Sequence, residues 1–195
     1  MMRILPGLFL SLLLALQPAG QTPRVTVHLN PAETQIRWTL TDVLHTVHGT
    51  FALKDGTVTF DPKTGAAQGE VVVETESGAS GDEMRDRKMR KGILETQKYP
   101  EAIFRAERVR GRLEPGGTAT LMVDGTFTIH GSGHPLTLTV QAQMQGGQKV
   151  TATTHFVVPY VAWGMKDPST FVLRVQKQVA VDVTAAGTVE EAAFR

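Results

Sequence analysis

The chain contains no cysteine among its 195 residues. Thiol catalysis, iron–sulfur ligation, lipoprotein attachment and disulfide bridging are therefore excluded, although exported domains often rely on disulfides. Its fold must be held by an apolar core alone. Neither sign of charge dominates: 20 Lys and Arg stand against 19 Asp and Glu, a net charge of +1. A nucleic-acid partner calls for a basic stripe or a clear basic excess, so none is expected. The sequence also lacks a glycine-rich phosphate loop and any His-Glu-x-x-His run. No metal and no organic cofactor is expected.

Only the N-terminus carries a long apolar run. Met1-Met2-Arg3 supplies a positive charge, Ile4 to Leu16 is almost wholly apolar, and Gln17-Pro18-Ala19-Gly20-Gln21 is rich in small residues. That order is the one found in secretory signal peptides, and the run is shorter than the roughly 20 residues a membrane span needs. Residues 1–20 are read as a signal peptide cut between Ala19 and Gln21. Residues 21–195 are then a single mature domain, periplasmic or secreted, without a transmembrane segment. The hydrophobic fraction of 41% suffices for a sizeable core in a chain of this size.

From Val25 onward apolar residues recur with period two, the mark of half-buried strands. Val25, Val27 and Leu29 alternate with polar residues, as do Ile36, Trp38 and Leu40. Val47, Gly49, Phe51 and Leu53 follow, and Asp55-Gly56 is read as a turn before Val58 and Phe60. Asp61-Pro62-Lys63-Thr64-Gly65 is a second turn cluster. Further strands are expected around Val71–Val73, Ile103–Val109, Thr120–Ile129, Leu136–Met144, Val150–Val158 and Phe171–Val183, with hairpin connections at Gly116-Gly117 and Gly146-Gly147. Ser80 to Leu94 differs: it is rich in charge and in helix formers, and Ser80-Gly81-Asp82-Glu83 resembles a capping box. Its basic residues fit a solvated helix face or a lipid-headgroup patch. The whole reads as an all-β chain of eight to ten short antiparallel strands plus one short helical element. Closure into an up-and-down barrel would remove the sheet edges, and a filled sandwich fits the same pattern.

Catalytic and metal signals are weak. His45 and His48 are three apart, which in an extended strand sends them to opposite faces. His130 and His134 flank Gly131-Ser132-Gly133, where a hairpin turn is the natural reading, not the strand–turn–helix of a hydrolase elbow. Glu74 and Glu76 share a strand face at its end, as solvated rim carboxylates do. Six aromatic residues, Trp38, Phe51, Phe60, Phe104, Phe127 and Phe156, fall on strand candidates and can share an inward face, as a packed core or as a lining.

Four stretches together resemble the YceI family, whose members are lipocalin-like and bind polyisoprenoids or other long apolar molecules. They are His45-Thr46-Val47-His48-Gly49-Thr50-Phe51 with Asp55-Gly56-Thr57-Val58-Thr59-Phe60-Asp61-Pro62; Arg85-Asp86; Tyr99-Pro100-Glu101-Ala102-Ile103-Phe104; and Gly125-Thr126-Phe127-Thr128-Ile129-His130-Gly131 with Pro135-Leu136-Thr137-Leu138. Lys88 and Met89 depart from the His-Leu that usually follows Arg-Asp, and Thr154 to Met165 has no familiar counterpart and could form a mouth. The resemblance implies a single extended eight-stranded antiparallel barrel around an apolar tunnel. It implies a binding protein, not an enzyme, with an isoprenoid or other long-chain lipid as its partner. The expected lining is Trp38, Leu40, Val47, Phe51, Phe60, Phe104, Phe127, Ile129, Leu138 and Phe156. The alternatives are an enzyme working through His130, His134 or His155, and a filled barrel acting by its surface. Pairing of two barrels into a homodimer is compatible with all three.

Overall fold

Alternation of inward apolar and outward polar residues dictates sheets that hide one face, and nine strands do so here. The computed structural model describes residues 24–41, 45–112, 117–171 and 174–191. The strands are β1 (Val25–Leu29), β2 (Gln35–Thr41), β3 (Thr46–Phe60), β4 (Ala67–Ala79), β5 (Glu101–Arg110), β6 (Thr118–Ile129), β7 (Ser132–Gln145), β8 (Lys149–Val158) and β9 (Val179–Glu191). All pairings are antiparallel, and the order β2-β9-β8-β7-β6-β5-β4 closes through β3, which pairs with both β4 and β2.

β1 and β2 fill a single position of this ring. β1 pairs with the last residues of β3 (Thr57 to Phe60) and of β9 (Gly187 to Glu191). β2 pairs with the first residues of the same two strands. A 3-10 turn at Pro31–Glu33, capped by the Asn30 side chain accepting from the Ala32 N–H, separates them. The result is a closed eight-position antiparallel barrel with one broken strand.

Asp55-Gly56 is not a turn. β3 runs through it with a register shift between Leu53 and Asp55, and the Asp55 carboxylate accepts from the Gly56 N–H at 2.8 Å. Opposite it lies the break between β1 and β2, so bulge and break together bend the wall, as bulges do in barrels. The last strand is also displaced from its expected place. β9 begins at Val179 instead of near Phe171, because its partners are β8, β2 and β1, and residues 159–171 and 174–178 are irregular. Residues 1–20, read above as a signal peptide, and part of the Gly116-Gly117 connection lie outside the described residues. Asp61–Gly65 and Gly146-Gly147 turn the chain as expected.

The helical element spans Glu83–Lys88 (α1) and continues as a π-helical stretch over Met89–Leu94. Its cap is Asp82, which accepts from the N–H groups of Met84 and Arg85. Ser80, the expected cap, instead gives its N–H to the carboxylate of Asp86 at 3.0 Å and its hydroxyl to the same group. Asp86 is buried. Arg85 donates to the Ser80 hydroxyl at 2.7 Å and to the Ser80 carbonyl at 3.1 Å. The Arg-Asp pair thus clamps the helix to the end of β4.

This connection, the β6–β7 hairpin and the described residues between β8 and β9 (159–171 and 174–178) all lie at one end of the barrel, called here the helix end. The other, turn end carries the short β3–β4 and β7–β8 turns. Val109, Leu121 and Ala142 pack there with Phe60 and Val140. The larger cluster, including Phe104, Phe127, Ile129, Tyr160 and Met165, lies toward the helix end.

Gly49 faces Trp38 across the β2–β3 ladder, and the indole lies directly over it. A Cβ at Gly49 would sit 2.3 Å from the Trp38 ring and 2.4 Å from the Ala79 carbonyl oxygen. Gly49→Ala is therefore expected to lower stability by about 1–3 kcal/mol through overpacking. Equilibrium urea unfolding measures this, and an unchanged midpoint would show that the indole has room to move.

Candidate functional site

Inward side chains of a closed eight-position barrel do not necessarily fill it; such barrels are about wide enough to hold one small ligand. Here they leave a cavity of about 740 Å³ that extends from the helix end to the turn end. Trp38, Leu40, Val47, Phe51, Phe60, Phe104, Phe127, Ile129, Leu138 and Phe156 all stand on its wall. Phe127 meets Phe156 edge-on, with centroids 5.9 Å apart. Val58, Val71, Val73, Val123, Leu136 and Val140 line it as well, and strand alternation alone would have found them. Met84, Arg85, Lys88, Met89 and Ile93 from the helical element line it too, with Pro168 and Thr170 from the β8–β9 connection. Periodicity carries no signal for those contacts, because they come from connections folded back over the rim.

Toward the turn end Ala142, Ala152 and Ala185 lie side by side on β7, β8 and β9, all on the cavity wall. Their small side chains give the lower tunnel its width. Polar groups on the wall are few. Trp38 Nε1 and the hydroxyls of Thr34 and Thr154 are buried and have no hydrogen-bond partner among the described residues. Buried polar atoms in folded proteins are nearly always satisfied, so these are places where an oxygen-bearing guest or a water would be accommodated.

The segment Pro159 to Met165, unplaced by sequence, crosses the helix end. Met165 and Tyr160 are buried, and the Tyr160 hydroxyl donates to the Gln176 carbonyl at 2.8 Å. Trp163 stacks on His134, with centroids 4.1 Å apart and planes 4° from parallel. The hairpin beneath uses His130 and Gly131, both at positive φ (51° and 76°), as a two-residue primed turn. The Tyr99 ring packs against Gly131, where a Cβ would lie 2.6 Å from it.

None of the six histidines lines the cavity. His155 is on the outer wall with Asp182 at 2.7 Å, His48 bonds Thr39, and His28 bonds Thr57. His130 sits 3.4 Å from Glu95 in the hairpin. His45 is exposed ahead of β3. Glu74 and Glu76 are exposed, Glu76 beside Arg90. Among the described residues no three His, Asp or Glu side chains converge on a metal position. No helix among them is long and apolar enough to cross a membrane.

Residues 28–187 match the family model of the YceI-like domain. Protein YceI of Escherichia coli O157:H7 is 35% identical over 102 residues, 51% of this chain and 51% of that protein. A UPF0312 protein of Pseudomonas syringae pv. syringae is 35% identical over 94 residues, 47% of each. The chain thus spans about half the length of the curated relatives it matches. Among solved structures, a polyisoprenoid binding domain from Saccharophagus degradans implicated in plant cell wall breakdown superposes with a TM-score of 0.64 at 14% identity. The match covers 84% of this chain and 98% of that one. BcnA of Burkholderia cenocepacia gives 0.63 at 20% identity, covering 81% and 98%. At these identities the likeness is one of fold.

Burial pushes the Tyr160 phenol from 10.0 up to about 12, with Asp167 adding to the shift. The folded chain therefore keeps a proton that the unfolded chain releases. The contribution to stability is fully present below pH 10 and is lost as the pH rises through about 12. The chain has only two tyrosines, so a phenolate absorbance titration resolves the late one directly. Tyr160→Phe is expected to remove that late step and to flatten the alkaline fall in stability relative to wild type. Equal alkaline slopes in the two proteins would show that the phenol is not held out of water.

Proposed function

This chain belongs to the YceI-like domain family, and we propose that its barrel binds and carries a long apolar ligand: a polyisoprenoid, an isoprenoid quinone or a fatty-acid-like lipid. The observation that carries this reading is the cavity itself, a tunnel with an almost continuous apolar wall in a barrel whose side chains could have filled it. The lining named above would act by non-directional burial. About 500 Å² of buried ligand surface is worth about 12 kcal/mol gross at 25 cal/mol per Å². Ordering and association consume part of that; a micromolar complex needs only about 8 kcal/mol.

Trp38 Nε1 and the Thr34 and Thr154 hydroxyls favour a ligand that carries oxygen over a bare hydrocarbon. The leader read at residues 1–20 points to the periplasm or the cell exterior. A catalytic role for His130, His134 or His155 draws no support from their placement, since each lies off the cavity wall.

The test is to purify the protein from its native host, extract it with organic solvent and identify the released material by mass spectrometry. One long-chain lipid per barrel is the expected outcome; an empty protein that also takes up no added isoprenoid, quinone or fatty acid overturns the reading. The alanine row supplies a sharper check. Ala152→Phe would block the lower tunnel, so the extracted lipids should shift to shorter chains while total occupancy persists. An unchanged length distribution would place the ligand elsewhere.

A further inference from the structure

The end of the barrel that the connections cover carries features that ligand burial does not use. Residues 80–100 hold six basic and four acidic side chains, and residues 159–178 hold three and one, in a chain whose net charge is only +1. These two segments at the helix end carry a net charge of +4, and the rest of the chain carries −3. Met84 is three and four residues before Arg87 and Lys88, and these are four and three before Lys91, so the four share one exposed face of the helical element. Lys88, Lys91, Lys166 and Arg174 make no ion pair with any described residue, whereas Arg87 lies 3.9 Å from Glu83 and Lys177 3.6 Å from Asp167. Two large apolar side chains stand out of the surface at this end. Phe171 is 98% exposed and Met84 70%, far more than the 40% of Met122 and Val157, the other exposed large apolar residues among those described. Met84, Arg85 and Lys88 line the cavity from the helical element and Pro168 and Thr170 from the β8–β9 connection, where Phe171 follows Thr170 in the chain.

We infer that the helix end is a membrane-docking face, which seats the cavity mouth on an anionic lipid bilayer. The inference rests on the proposed lipid-carrier reading. Exposed apolar tips among exposed cations are what an interfacial anchor presents, the tips entering the headgroup boundary and the cations meeting anionic lipids. A second protein would call for a broader apolar patch, since protein interfaces deplete lysine at their centre. Docked this way, the mouth opens directly on the acyl region. The ligand can then move between bilayer and tunnel without exposing its apolar length to water.

The experiment is vesicle flotation of the full chain, using phosphatidylcholine vesicles with and without phosphatidylglycerol, at low and at high salt. The same preparations are assayed for bound lipid by extraction. Wild type is expected to float with phosphatidylglycerol vesicles at low salt, weakly at high salt, and little with pure phosphatidylcholine. Each reversed charge should weaken partitioning at least about five-fold. Phe171→Ser, and separately the pair Lys91→Glu with Arg174→Glu, should reduce flotation while leaving bound lipid unchanged, because none of these residues lines the cavity. All variants share the wild-type N-terminus, so any contribution of residues 1–20 is common to them. Flotation that ignores lipid charge, salt and both variants overturns the inference, and so does self-association in place of vesicle binding. Lipid-loaded protein that never floats overturns the docking face while the carrier reading stands. An empty barrel that floats as described removes the carrier reading and leaves the docking face standing.

Discussion

The pairing of β3 on both of its sides is the constraint on which the rest of the barrel depends. Over fifteen residues it serves β4 along one edge and β1 and β2 in turn along the other. If it stopped at Asp55-Gly56, as a hairpin would, the ring could not close, and two sheet edges would stand open to other chains. The bulge at Leu53–Asp55 lets the strand bend without ending. The break between β1 and β2 sits opposite, so both walls turn at one level. Closure then sets how much interior there is, and the side chains that face inward are too few and too small to occupy it.

The two ends of that interior are built differently. At the turn end short turns leave little chain to spare, and Val109, Leu121 and Ala142 pack together with Phe60 and Val140. At the helix end two long connections fold across the rim. Each is held by separate contacts instead of a ladder. On one side these are Ser80 to Asp86, Arg90 to the Gly78 carbonyl and Thr96 to Glu76. On the other, the Tyr160 hydroxyl donates to the Gln176 carbonyl and the Gln176 N–H to the Thr41 carbonyl. Strand pairs are locked by rows of backbone hydrogen bonds, whereas these covers are tied at points. Local opening in proteins begins where such ties are few, so exchange with the outside is expected through the helix end.

The strands and the wall were legible in the sequence because a strand's side-chain period is fixed by its backbone. An aromatic residue on the apolar phase must face the interior once the sheet closes, which is why Trp38, Phe104 and Phe127 could be assigned without coordinates. What could not be read was decided by distant partners. Asp-Gly serves a turn and a bulge equally well, and the choice at Asp55-Gly56 is made by β1 and β2 across the ladder. Phe171 to Val175 has strand-like composition, yet β9 starts where β8 and β2 can pair with it. Ser80 and Asp82 are both good cap residues, and the Ser80 hydroxyl, engaged by Asp86 and Arg85, leaves the cap to Asp82. The covers over the rim were invisible for the same reason: their contacts with the wall follow no period.

A lipid in the tunnel would be part of the core, not a passenger on it. Ligand present at a hundredfold its Kd adds about 2.7 kcal/mol to the folded state, a sizeable share of the 5–15 kcal/mol that holds a typical domain together. This chain has no disulfide to make up the difference when the ligand leaves. Release into water would therefore cost twice, once in hydrating the ligand and once in emptying an apolar cavity. Release into a bilayer avoids the first cost entirely, since acyl chains replace the protein wall around the ligand. It also limits the time the barrel stands empty, because another apolar molecule is always at the mouth. The same economy that leaves the barrel hollow thus favours exchange at a membrane surface over exchange through solvent.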